Sequence, residues 1–315
     1  MTDIKEENVT IDGGVPLGAT ITYTDKSERK PAIVIIMGTG KLDRDGNGTG
    51  FKMDLYKNFA RMFAEDGFVA VRYDKRGTHG SGGDFNTAGL SDITDDAISV
   101  IRYMKSLPYV DASRIIVCGH SEGSIIATLL SDKEETAGLI LLGGAAMCLK
   151  DALRYQSRLA GEQIENTGGI KGKLLQKLAS REKIESNQDE MFGKAAEAQG
   201  DTISIKGAKT SAKWLREHDS YSSEDLVNML KSYGKPILAI TGTADLSSDY
   251  HFLDAIQDVP GITCYVPQNV NHIFREIDDD NSIMKVKKQY VRLAAKPMHQ
   301  GTKETIDSWL VQFRD

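Results

Sequence analysis

Five residues, Gly119-His120-Ser121-Glu122-Gly123, place a serine at the centre of a Gly-x-Ser-x-Gly pentapeptide. The run Ile115-Ile116-Val117-Cys118 precedes it, and a small-residue amphipathic pattern (Ser124, Ile125, Ile126, Ala127, Leu129, Leu130) follows. That succession predicts a strand, a sharp turn and a helix, the setting in which such a serine is lifted out as a nucleophile. So tight a turn brings strand and helix backbones together, and Gly119 and Gly123 remove the Cβ atoms that would collide. The helix beginning beside Ser121 aims free N–H groups and its positive dipole end at an oxygen that gains charge during acyl transfer. Serine chemistry also needs a base, and a buried acid to hold the base in one tautomer. Asp245, in Gly242-x-x-Asp245, and His272, after Asn271, follow later strand patterns, with Asp249 as a reserve acid. The oxyanion donors are expected to be the backbone N–H groups of Glu122 and of Thr39, within Met37-Gly38-Thr39-Gly40.

The remaining titratable candidates carry weaker patterns. His120 is expected to pack or orient beside the nucleophile rather than act as the base. His79, His218, His251 and His299 are expected on solvated surface, and Cys118 reads as a small buried hydrophobe. Asp74-Lys75-Arg76-Gly77 is expected to shape a turn. Gly38-x-Gly40 lacks the third glycine of a dinucleotide fingerprint, and Asp43 and Asp45 would repel a pyrophosphate. Gly40-Lys41 lacks the Ser/Thr and upstream glycine of a phosphate loop. No metal-ligand spacing is present, so neither a metal nor an organic cofactor is expected.

The elements that must position these groups alternate. Residues 7–12 and 18–23 predict an edge hairpin about Gly13-Gly14. Apolar runs at 31–37, 68–73, 114–118, 137–142, 236–240 and 262–266 predict strands covered on both faces. Between them lie helical patterns: Leu55/Phe59/Met62/Phe63, then Ile93/Ala97/Val100/Ile101/Met104 with Ser91 as its N-cap, and finally Ile306/Trp309/Leu310/Phe313. Residues 148–233 break the alternation with short helical patterns, many glycines and no strong strand run. The fold class expected is therefore α/β, a mostly parallel sheet with helices on both faces, formed by 1–147 and 234–315, with 148–233 inserted as a helical lid or cap.

A chain of 315 residues with net charge −6 has no general basic surface for nucleic acid. Its apolar runs are too short to cross a bilayer, and the polar amino-terminal stretch has no signal-like core, so a cytoplasmic protein is expected. Three cysteines without a Cys-x-x-Cys pair suggest neither disulfides nor zinc.

Taken together, Met37-Gly38-Thr39-Gly40 with Asp43-Arg44-Asp45, Arg72-Tyr73-Asp74-Lys75-Arg76-Gly77-x-x-Gly80-Ser81, Gly119–Gly123, Gly242-x-x-Asp245 and Asn271-His272 resemble the α/β-hydrolase family, and within it the small bacterial serine esterases. The likeness spans 31–142 and 235–313. It implies an α/β-hydrolase fold and a Ser-Asp-His triad, in that chain order, acting through an acyl-enzyme on a small-molecule carboxylic ester. Many members carry His where Met37 stands, which puts the support of that loop in question. A thioesterase, acyl transferase or peptidase would use the same triad; a non-catalytic binding protein is the rival from another class. Whether the chain forms a homo-oligomer is left open.

Overall fold

The computed structural model describes residues 3–278 and 280–314. Ten strands and ten α-helices are described, eight of the strands in one sheet. The amino-terminal hairpin pairs β1 (Lys5–Asp12) with β2 (Pro16–Tyr23), from Lys5 opposite Tyr23 to Asp12 opposite Pro16. Strand β2 runs antiparallel to β4 (Val69–Tyr73). From there β4, β3 (Lys30–Ile36), β5 (Val110–His120), β6 (Gly138–Leu142), β9 (Ile237–Ile240) and β10 (Ile262–Tyr265) lie parallel in that spatial order. The chain thus belongs to the mostly parallel, doubly covered class.

Two faces explain why the central strands carry continuous apolar runs. Ala32, Val34 and Ile36 join one core, beneath α2 (Leu90–Ser106) and α3 (Glu122–Leu130). Ile33 and Ile35 join the other, with Phe59 and Phe63 of α1 (Leu55–Glu65) and Ile306 and Trp309 of α10 (Gln300–Leu310). Because side chains alternate along a strand, one apolar run serves both cores. The expected Ser91 cap is not formed. Helix α2 starts at Leu90 with Gly89 at its N-cap, whose N–H donates to Asp92 Oδ2 at 2.7 Å. The Ser91 hydroxyl goes instead to Glu217 Oε1, at 2.8 Å.

Between β6 and β9 stand α4 (Leu149–Glu165), α5 (Gly169–Ala179), α6 (Arg181–Glu197), α7 (Ala212–Asp219) and α8 (Ser223–Ser232). One feature here differs from the helical insert expected, a hairpin of β7 (Thr202–Ile205) and β8 (Ala208–Ser211). Its turn residues Lys206 and Gly207 both have positive φ, the geometry a two-residue hairpin needs. Four-residue strands carry too little alternation to stand out from loop. Ile203 and Ile205 pack on a small third core of Leu149, Phe192, Ala195, Ala212 and Leu215. No helix among the described residues is long and apolar enough to cross a membrane. Helix α9 (Val286–Leu293) leads to α10.

Candidate active site

Strand β5 ends at His120, α3 begins at Glu122, and Ser121 joins them with φ 57° and ψ −123°. Such a conformation costs on the order of 1–3 kcal/mol and survives only where the surroundings impose it. The imposition is steric: a Cβ at Gly119 would lie 2.1 Å from the Gly123 carbonyl oxygen, and one at Gly123 would lie 2.2 Å from that of Ile36. The Ser121 N–H donates to the Leu142 carbonyl at 2.8 Å, tying the turn to the end of β6.

Asp245 follows β9 in a tight turn closed by its own N–H on Gly242 O. Its Oδ1 accepts the N–H groups of Ser247 and Ser248, at 2.7 and 3.0 Å, and its Oδ2 accepts His272 Nδ1–H at 2.7 Å. Both side chains are buried. His272 sits past β10 on a loop braced by Asn271 Oδ1, which accepts the N–H groups of Ile273 and Arg275. Tyr290 stacks on the imidazole with ring centroids 6.3 Å apart. Asp249 does not share this role; its carboxylate pairs with exposed His251 at 2.8 Å.

Ser121 and His272 line one cavity of about 450 Å³. Among the described residues no hydrogen bond joins the Ser121 hydroxyl to the ring, and such contacts commonly tighten only in the Michaelis or transition-state complex. Gly143, with φ +59°, lies beside the Asp245–His272 pair: a Cβ there would stand 3.0 Å from His272 Nδ1 and 3.2 Å from Asp245 Oδ2. Gly143 is not among the expected site residues, although a glycine closing a buried strand is a recognisable mark of close approach.

The N–H groups of Thr39 and Glu122 have no acceptor among the described residues. Arg44 and Arg72 hold the Thr39 loop from outside. The Arg44 guanidinium and backbone N–H both bind Asp74, and Arg72 Nε binds Asp45 at 2.7 Å. From inside, the Gly38 N–H donates to Tyr56 Oη at 2.8 Å, the Tyr56 hydroxyl donates to His120 Nδ1 at 3.0 Å, and His120 Nε2–H donates to the His272 carbonyl at 2.9 Å. Burial, aided by the neighbouring His272, lowers the His120 pKa to about 3, so the ring is neutral and can fill both roles. Tyr56 and His120 thus bridge the loop to the backbone of His272 and supply support beside Met37. Arg76 binds Asp96 through two nitrogens, at 2.7 and 2.6 Å, which suits a turn.

Glu122 has a second set of partners. Its buried carboxylate accepts Lys75 Nζ at 2.5 Å, Trp214 Nε1 at 2.6 Å and His218 Nε2 at 3.1 Å. Burial alone would raise its pKa, but the Lys75 ammonium and the His218 contact hold it well below the usual carboxylate range. His218, expected at the surface, is only 2% exposed, because α7 lies directly on the elbow. Nothing local in the sequence marks this cluster, since Lys75 and His218 are far apart along the chain. His79 and His251 are exposed, and His299 accepts the Thr302 N–H at the start of α10. Among the described residues no group of three or more His, Cys, Asp or Glu side chains could hold a metal ion.

The family profile of the serine aminopeptidase, S33, α/β hydrolases matches residues 47–256. The chain belongs to this family. Across 179 residues it is 28% identical to esterase EstD of Thermotoga maritima, a match covering 55% of this chain and 42% of that relative's own length. The S33 chain also shares its fold with solved bacterial and archaeal structures. Est1E of Butyrivibrio proteoclasticus, solved with ferulic acid, superposes with a TM-score of 0.56 at 18% identity, over 90% of this chain and 96% of that one. Esterase Pf2001 of Pyrococcus furiosus superposes at 0.57 with 14% identity, over 100% and 92%. The α/β-hydrolase fold of this S33 member is thereby established.

Proposed function

We propose that the protein is a serine carboxylesterase. The observation that carries the reading is the shared cavity: Ser121 and the Asp245-bound His272 line one chamber, with the Thr39 loop at its edge. Ser121 Oγ attacks the acyl carbon while His272 Nε2 takes its proton. Asp245 stabilises the imidazolium through Nδ1–H, and the Thr39 and Glu122 N–H groups hold the oxyanion. His272 then protonates the leaving alkoxide, and water activated by the same ring releases the acid from the acyl-enzyme. The helical layer at 148–233 serves as the cap over this chamber, contributing Leu149, Leu153, Gln156 and Trp214 to its walls.

The family name raises an aminopeptidase as the alternative. Recognition of a free α-amine calls for a carboxylate in the substrate cavity; among the described residues no Asp or Glu lines it, and Lys287 is its one charged lining residue. That favours esters with an uncharged apolar group at this position. The test compares 4-nitrophenyl butanoate with an aminoacyl-4-nitroanilide on one preparation, for wild type and Ser121→Ala. Ester turnover is expected to dominate and to fall about a thousandfold or more in the variant. Ester activity within tenfold of wild type in Ser121→Ala, or faster anilide cleavage, rejects the proposal.

A further inference from the structure

On the other side of Trp214 lies a second cavity, of about 260 Å³, that no step above uses. Thr39 and Trp214 border both chambers, so an ester whose carbonyl oxygen lies at the Thr39 N–H has a chamber on each side. Apolar walls come from Phe85, Ala88, Ile93 and the Trp214 ring. The charged lining is three lysines and one acid: Lys41, Lys75, Lys209 and Glu122. Glu122 is not free to receive a cation, since Lys75, Trp214 and His218 already occupy its oxygens.

The two outer lysines are differently placed. Lys41 Nζ stands 4.9 Å over the Phe85 ring and donates to Asn86 Oδ1 at 3.3 Å, with no carboxylate within ion-pair distance among the described residues. Among the described residues Lys209 has only a loose partner, Asp84 at 3.6 Å, and both side chains are about half exposed, where such a pair is worth little. An amine would meet ammonium groups here, and a wholly apolar group would leave them unused. We infer that this second cavity is a subsite for an ester arm that runs along Phe85, Ile93 and Trp214 and ends in a carboxylate bound by Lys41 and Lys209. The inference rests on the esterase reading and specifies its substrate class: half-esters of dicarboxylic acids, or esters of hydroxy acids.

Two matched substrate pairs test it and separate the two arms. For the acyl arm the pair is 4-nitrophenyl hexanoate and its ω-carboxylate analogue, 4-nitrophenyl hydrogen adipate. For the alcohol arm it is butyl butanoate and 4-(butanoyloxy)butanoate, followed by pH-stat. In one pair, the kcat/KM ratio of carboxylate to neutral ester is expected to fall about tenfold from wild type to Lys41→Met/Lys209→Met, the scale of a charge-assisted hydrogen bond. In wild type, raising the salt concentration should lower turnover of the carboxylate ester and spare its neutral mate. If neutral esters are cleaved in a Ser121-dependent manner while both ratios ignore the substitutions and the salt, the subsite is refuted and the esterase stands. If Ser121 governs turnover of none of the four, the underlying activity is itself wrong.

Discussion

The sheet rim and the helical layer hold their parts of the site by different means. At the rim, positions are dictated by close contact: Gly119 against the Gly123 backbone and Gly123 against that of Ile36 leave no room for a side chain, and Gly143, at positive φ, lies tight against the Asp245 and His272 side chains. In the helical layer, position depends on polar straps. Helix α7 is tied to the core by Ser211 Oγ on Ala88 O, Lys213 on Asp92, Glu217 on Ser91, and the Trp214 and His218 bonds to Glu122. On the other flank of the chamber, α4 is tied by Tyr155 on Asp245 O and Gln156 on Ser247 O, at 2.9 and 3.0 Å. Among the described residues α5 has no such tie to the core, and its described side chains are mostly exposed, Leu174 by 56%. Packed backbone tolerates almost no adjustment, whereas straps can be exchanged one at a time. The rim therefore holds its groups in one arrangement, while the layer's position rests on contacts that can be changed singly.

The comparison breaks first at Asp245. Asp245→Asn keeps the shape of the rim but removes the charge that selects the His272 tautomer, so kcat on a neutral ester should fall by about 10³–10⁴ with little change in melting temperature. Steady-state kinetics and calorimetry on one preparation check this; a loss under tenfold would mean that Asp245 does not act on the base.

A smaller effect should come from acid. The His120 pKa is depressed in the folded protein, from about 6.5 to about 3. The unfolded chain therefore binds the proton first, and the stability tied to neutral His120 is complete above pH 6.5 and lost as pH falls toward 3. By pH 5 the loss is about 2 kcal/mol. Denaturant unfolding between pH 7 and 5 should show this slope in wild type and a flatter one in His120→Gln, whatever the variant's absolute stability. Equal slopes would remove His120 as the cause.

The smallest effect sharpens the other side. Leu174→Lys on α5 should change stability by no more than about 0.5 kcal/mol and leave ester turnover near wild type. A melting temperature lowered by several degrees would show that α5 is braced as firmly as the rim.

Much of the rim was legible because its constraints are local. Gly-x-Ser-x-Gly after a β-branched run encodes strand, turn and helix within a few residues, and the continuous apolar runs of the central parallel strands report burial on both faces. Asp245 and His272 could be chosen because each follows a strand pattern, which puts them at one end of a parallel sheet. The short hairpin at 202–211 and the Gly89 cap of α2 escaped, the first for want of alternation and the second because Glu217, distant in sequence, claims Ser91.

Chain order and local pattern by themselves determined the fold class, the sharp turn at Ser121 and the choice of Asp245 and His272 as its candidate partners, since steric and periodic rules act between near neighbours. Only the tertiary structure decided that His218 is buried, that Glu122 is clamped by Lys75 and Trp214, and that two chambers meet at Thr39. Those facts arise where segments separated by tens of residues come into contact, and no spacing along the chain records which distant side chain fills a given vacancy.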